Sequence, residues 1–130
     1  MISEQELADL SFADAPKIVS DTVPGPESRK LLAEAPEYES MARGGGSFPL
    51  VFDIGKGVTV KDPDGNLYID VSAGVGVNSV GRAHPRVIAA MEQQSKRLMH
   101  ASDISNTKRS ELARKIASIA PPGLKDNCIT

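Results

Sequence analysis

The stretch VTVKDPDGNLYIDV, residues 58–71, constrains the fold more than any other. VTVKD at 58–62 alternates apolar and polar side chains with the period of two that a half-buried strand requires. Asp62-Pro63-Asp64-Gly65 then supplies turn chemistry, proline presetting φ and glycine accepting a positive one. LYIDV at 67–71 reads as the next strand, and PLVFDI at 49–54, joined through the turn Gly55-Lys56-Gly57, as the one before. Successive short strands with tight connections predict a small antiparallel meander.

The flanks are organised differently. Residues 1–23 are polar and sustain no period, which predicts a mobile N-terminal arm. Pro24-Gly25-Pro26 punctuates the chain. Residues 26–35 (PESRKLLAEA) predict a short helix, with Pro26 in its first turn, Glu27 at its positive end and Leu31 and Leu32 as apolar contacts. Pro36 and Arg43-Gly44-Gly45-Gly46 close that region, the glycine triplet acting as a flexible joint. Downstream, Pro85 opens an amphipathic helix with Val87, Ile88, Met91, Leu98 and Met99 on one side. After the polar loop 100–106, Asn106 or Thr107 caps a second helix, 108–119, whose stripe is Leu112, Ile116 and Ile119. Pro121-Pro122-Gly123 stops it, and 126–130 (DNCIT) looks like the start of a strand with no partner in view. The expected division is an arm (1–23), a helix with the meander (24–84), and helices with a first strand leading into a larger, incomplete domain (85–130).

Composition narrows the class. The 130 residues carry a net charge of −2, so no basic face announces nucleic acid. A single cysteine, Cys128, excludes an internal disulfide and fits a reducing compartment. No run approaches the roughly 18 apolar residues of a membrane span, and MISEQELADLSF lacks the basic region and apolar core of a secretory signal. A cytoplasmic location is the default expectation. Three Phe, two Tyr and no Trp leave a core of small aliphatic residues, thin for a chain standing alone.

The glycine-rich stretch VSAGVGVNSVGRAHP, residues 71–85, raises the question of a phosphate site. A dinucleotide fingerprint fails at its third glycine, where Ser79 stands. A P-loop fails after Gly76 and Gly81, because Arg82 and Ala83 replace its lysine and hydroxyl residue. The simpler reading is close backbone packing where Cβ atoms would clash.

The ordered series of motifs resembles the N-terminal part of the class III (ω-) aminotransferases, pyridoxal-phosphate enzymes of fold type I. Asp62, Asp64, Gly65, Tyr68 and Asp70 match the family's D-x-D/E-G-x-x-Y/F-x-D strand pair. Gly81, His84 and Pro85 match its G-H-x-H-P element, and Arg82 departs from it, the family usually having histidine there. VPGPESRKLL resembles the lead-in of several members, including aminotransferases and racemases, so the resemblance covers about residues 22–130.

The resemblance implies an α/β fold: an N-terminal helix, the antiparallel meander, and two helices leading into a large, mostly parallel sheet domain. It implies pyridoxal 5'-phosphate as cofactor, amino-acid and 2-oxo-acid substrates, and a homodimer. By position Val75 matches a residue facing the substrate, with Gly74 and Gly76 leaving room for it, and Ser102, Asp103, Ile104 and Ser105 match a segment approaching an active site in the dimer. A packed valine at position 75 remains the alternative.

The resemblance places the Schiff-base lysine, the aspartate on the pyridine nitrogen, the phosphate donors and the carboxylate-binding arginine beyond the matched region. None of the lysines, from Lys17 to Lys125, stands in the catalytic position, and this chain alone is expected to be inactive. An amino-acid racemase or epimerase on the same scaffold, and a non-catalytic truncated gene product, are the alternatives. His84 reads as a helix cap, His100 as a structural group at a helix end, and Asp62 and Asp64 as turn residues. No cluster has metal-ligand spacing, no serine has the G-x-S-x-G setting of a hydrolase, and Cys128 reads as inert.

Overall fold

A computed structural model describes residues 3–8, 10–40 and 48–124. The elements follow in the order α1 (Glu4–Ala8), α2 (Pro26–Tyr38), β1 (Ile54–Lys56), β2 (Thr59–Lys61), β3 (Leu67–Ile69), α3 (Pro85–Ser95) and α4 (Thr107–Ile119). The chain divides into two compact units, residues 1–90 and 91–130, the division falling inside α3. The glycine triplet at 44–46 and the strand start at 126–130 lie outside the described residues.

The first unit is built on the meander. β2 pairs antiparallel with β1 and with β3, with Val60 opposite both Gly55 and Tyr68. Val60 is the one fully buried apolar side chain among the described residues, at 1% exposure. The first strand is displaced from its expected place. Residues 49–53 stand outside the ladder, apart from one bond from Asp53 N–H to the Lys61 carbonyl (2.9 Å), and pairing begins at Ile54. Gly55 and Lys56, expected in the turn, belong to β1. The connection is instead the two-residue Gly57-Val58. Gly57 has φ +55 and Val58 does not share the positive sign, as in the type II′ hairpin turn, which matches strand twist and places glycine first. At the second turn Gly65 takes φ +90 and donates to the Asp62 carbonyl, as the Asp-Pro-Asp-Gly sequence requires.

Residues 10–24, most of the expected arm, are stitched to the meander by hydrogen bonds. Lys17 and Leu67 exchange two backbone hydrogen bonds of 2.9 and 2.7 Å. Val58 N–H donates to the Leu10 carbonyl, and Phe12 N–H to Thr59 Oγ1 at 2.8 Å. Asn66, with 0% exposure, is the knot: its Oδ1 accepts from Val19 N–H (2.8 Å), Ser20 N–H (3.0 Å) and Ser20 Oγ (3.1 Å). Its Nδ2 donates to Asp62 Oδ2 at 2.7 Å, which also accepts the Tyr68 hydroxyl at 2.9 Å. Burial, and then this bond to Asp62, push the Tyr68 hydroxyl up to about 12.

Helix α2 receives its cap from the same turn. Gly25 at the N-cap has no side chain to offer, and Asp64 fills the role from across the fold, accepting Glu27 N–H (2.8 Å), Ser28 N–H (2.9 Å) and Ser28 Oγ (2.6 Å). A Cβ at Gly25 would lie 2.3 Å from Asp64 Cγ, so glycine there makes room for the carboxylate. The helix continues through Pro36 to Tyr38, past its expected end. Proline's fixed φ is itself helical, one donor is lost near the end of the helix, and Glu39 N–H still reaches the Ala35 carbonyl at 2.8 Å.

In the second unit, Asn106 caps α4 as the sequence suggests, its side chain accepting Arg109 N–H at 3.0 Å. His100 lies beyond the end of α3 rather than at it.

Candidate active-site loop

Asp70 directly follows β3, and Arg82 comes just before the helix-opening His84-Pro85. Arg82 Nε and Nη2 both donate to Asp70 Oδ2, at 3.0 and 2.8 Å. The other carboxylate oxygen accepts Ser72 N–H (2.8 Å) and Ser72 Oγ (2.6 Å), and the Asp70 side chain is only 6% exposed. The Arg82 backbone bonds twice to Gly57, at 2.8 and 2.9 Å. Its guanidinium lies over the Phe52 ring, 5.6 Å from the centroid. Its stem crosses Gly55, where a Cβ would come within 2.5 Å of Arg82 Cδ. In the sequence Arg82 stands out only as a departure from a motif. No period links it to Asp70, and only the fold brings the two together.

Between these residues, 71–81 forms one closed loop. Ala73, Gly74, Val75 and Gly76 all take positive φ (48, 59, 59 and 90). Left-handed backbone costs a non-glycine residue about 1–2 kcal/mol, and β-branched valine is among the residues least suited to it. Val75 is nevertheless 96% exposed, with Val71 and Val77 also open. Four of the loop's amides are spent inward: Val75 N–H on the Ser72 carbonyl, Gly76 and Asn78 N–H on that of Ala73, Gly81 N–H on that of Asn78. Those donors are unavailable to a phosphate, in keeping with the failed P-loop and dinucleotide patterns. An apolar hollow of about 490 Å³ beside the loop's start is lined by Phe48, Leu50, Phe52, Ile69 and Val71, among others.

His84 caps α3 as expected, its Nδ1 accepting Arg86 N–H at 3.2 Å and its carbonyl accepting Val87 and Ile88 N–H. Of the remaining candidates, Gly74, Val75 and Gly76 belong to the first unit and Ser102, Asp103 and Ile104 to the second. The latter three occupy a turn in which Ile104 N–H donates to the Ala101 carbonyl and Ser102 takes φ +51. Lys17 pairs with Asp14, and Lys108 with Glu111. Among the described residues there is no cluster of metal ligands and no helix long and apolar enough to cross a membrane.

The hydrogen bonds from Ser72, and then the Arg82 fork, hold the Asp70 carboxyl down at about 2 from its ordinary 3.8. A folded value below the unfolded one means that the pair stabilises above about pH 4 and is lost as pH falls toward 2. A carboxyl-carbon NMR titration should therefore give Asp70 a midpoint far below the ordinary 3.8. A midpoint at the ordinary value would show the Asp70–Arg82 pair to be open.

The family model for class-III aminotransferases matches residues 40–130. Acetylornithine aminotransferase of Methanothermobacter thermautotrophicus is 50% identical over 74 residues, covering 56% of this chain and 19% of that protein. Its counterpart in Methanocaldococcus jannaschii is 42% identical over 76 residues, covering 58% and 19%. Among solved structures, acetylornithine aminotransferase from Elizabethkingia anophelis superposes with a TM-score of 0.64 at 27% identity, over 71% of this chain and 24% of that one. Ornithine aminotransferase from Toxoplasma gondii, described with partial occupancy of PLP at its active site, gives 0.61 at 33% identity, over 71% and 21%. The architecture is the N-terminal part of the fold type I aminotransferase fold, and the chain belongs to the class III aminotransferase family. It spans about a fifth of the length of the curated relatives it matches.

Proposed function

We propose that the protein containing these residues transfers an amino group from an amino acid of the ornithine or N-acetylornithine kind to a 2-oxo acid, using pyridoxal 5'-phosphate. The observation that carries this is the family match over residues 40–130, supported by relatives named for that reaction. The cofactor supplies an electron sink for the bonds broken at the substrate's amino-bearing carbon.

The described residues do not themselves make a holder for the cofactor. The amides of Val75, Gly76, Asn78 and Gly81 are turned inward, and Lys17 and Lys108 are in surface ion pairs. No step is therefore assigned to them through the cofactor. Their part is to wall and orient. Gly74 and Gly76 keep the wall thin, and Val75 presents its branched side chain to the substrate. By position Ser102, Asp103 and Ile104 belong to a segment that approaches a substrate site of the dimer. In this reading residues 24–84 serve the small domain and 85–130 lead into the large one. A partner subunit, giving a homodimer, covers valines that here lie open.

The full-length protein, supplied with cofactor, N-acetylornithine and 2-oxoglutarate, is expected to release glutamate. The isolated 130-residue polypeptide is expected to give no cofactor absorbance that borohydride bleaches. Glutamate formation failing while one enantiomer of the donor converts to the other would establish a racemase instead. Neither activity in the full-length protein would favour a non-catalytic product.

A further inference from the structure

We propose that Arg82 is a positioning residue: with Asp70 it locks the neck of the 71–81 loop and so fixes where Val75 stands. The functional half of this rests on the reading that the loop borders the substrate; the mechanical half does not.

The outer side chains of the loop face open space. Val71 is 94% and Val75 96% exposed, and the bonds within 71–81 are turn bonds between its own residues. Its place is therefore set at its two ends. One carboxylate serves both: Oδ1 of Asp70 gathers the incoming chain through Ser72, and Oδ2 gathers the outgoing chain through the Arg82 fork. The paired backbone bonds between Arg82 and Gly57 then fasten this neck to the hairpin turn.

Three features select arginine. Two donors must converge on one oxygen, a flat cation must lie on Phe52, and a long stem must pass over a residue without a Cβ, Gly55. Lysine offers one compact charge, which meets neither the fork nor the stacking requirement.

The test uses the full-length protein with Arg82→Ala and Arg82→Lys. Backbone hydrogen exchange across 71–81 and at Gly57 should accelerate about tenfold or more in both variants, while the Asn66 knot keeps its protection. Millimolar guanidinium should restore slow exchange to Arg82→Ala and not to Arg82→Lys, whose ammonium fills the space. If the loop borders the substrate, KM for the amino donor should rise about tenfold with kcat nearly unchanged, because the lost contact is made equally in ground and transition states. Unchanged exchange in both variants would overturn the lock. Accelerated exchange with unchanged KM would overturn the positioning role and keep the lock. A wild-type protein without aminotransferase activity would fail the functional reading, and exchange alone would still decide the lock. Should Arg82→Ala not fold, Arg82→Lys and Asp70→Asn carry the same exchange test.

Discussion

Gly57→Ala is expected to be the most damaging single-methyl change in the first unit. A Cβ at this position would stand 1.6 Å from the Leu10 carbonyl oxygen, which is backbone and cannot swing aside as a side chain could. The residue also has φ +55, where alanine is strained. Relief requires moving the N-terminal segment off the hairpin, which breaks the Val58–Leu10 hydrogen bond and loosens the pair of backbone hydrogen bonds with Arg82. The combined cost should be about 3 kcal/mol or more, in the range reserved for backbone collisions and special conformations. Denaturant unfolding of the full-length protein should show the midpoint falling accordingly. A change within about 0.5 kcal/mol, as for an ordinary surface substitution, would mean that Leu10 does not sit against this turn.

Asn66→Ala should approach the same magnitude by a different route. Alanine removes the acceptor of two backbone N–H groups, Val19 and Ser20, and one of the donors to Asp62, a side chain that is itself buried. Leaving buried polar groups without partners costs about 1–3 kcal/mol each, more for charged ones, partly offset by water entering the gap. A loss of about 3–4 kcal/mol is expected, together with rapid exchange at the Val19 and Ser20 amides. Tyr68→Phe removes one hydroxyl bond to Asp62 and should cost about 1 kcal/mol, which makes it the internal reference. If the two variants proved equal, Asn66 would be a turn residue and no more.

Which features were legible follows from the range of the forces that set them. The turn at Asp62 to Gly65, the cap at Asn106 and the cap at His84 are decided within a few residues, and their chemistry is written in adjacent letters. Strand limits were legible only in part. The apolar run at 49–54 signals a strand, but pairing is chosen by register with β2, which begins it at Ile54. The N-terminal segment could not be read at all. It is polar, has no period, and is ordered by a side chain 46 positions away. Asp64 was legible as a turn residue and illegible as the cap of α2, for the same reason of distance.

The candidate loop divides the same way. Its glycines marked a place where backbone bends or approaches closely, and two known phosphate patterns could be excluded from spacing alone. The left-handed Val75 ran against propensity, so no local rule would place it there. The family resemblance supplied the position, and the geometry supplied the neck.

The knot at Asn66 also has a consequence for the order of events during synthesis. Ser20 leaves the ribosome 46 residues ahead of the amide that will hold it. At about 5–20 residues per second, the leading segment waits roughly 2–9 seconds without its anchor. Nascent chains arrested before position 66 should therefore leave residues 10–24 open to proteases and chaperones. Those arrested once the hairpin has cleared the exit tunnel should protect them in a single step.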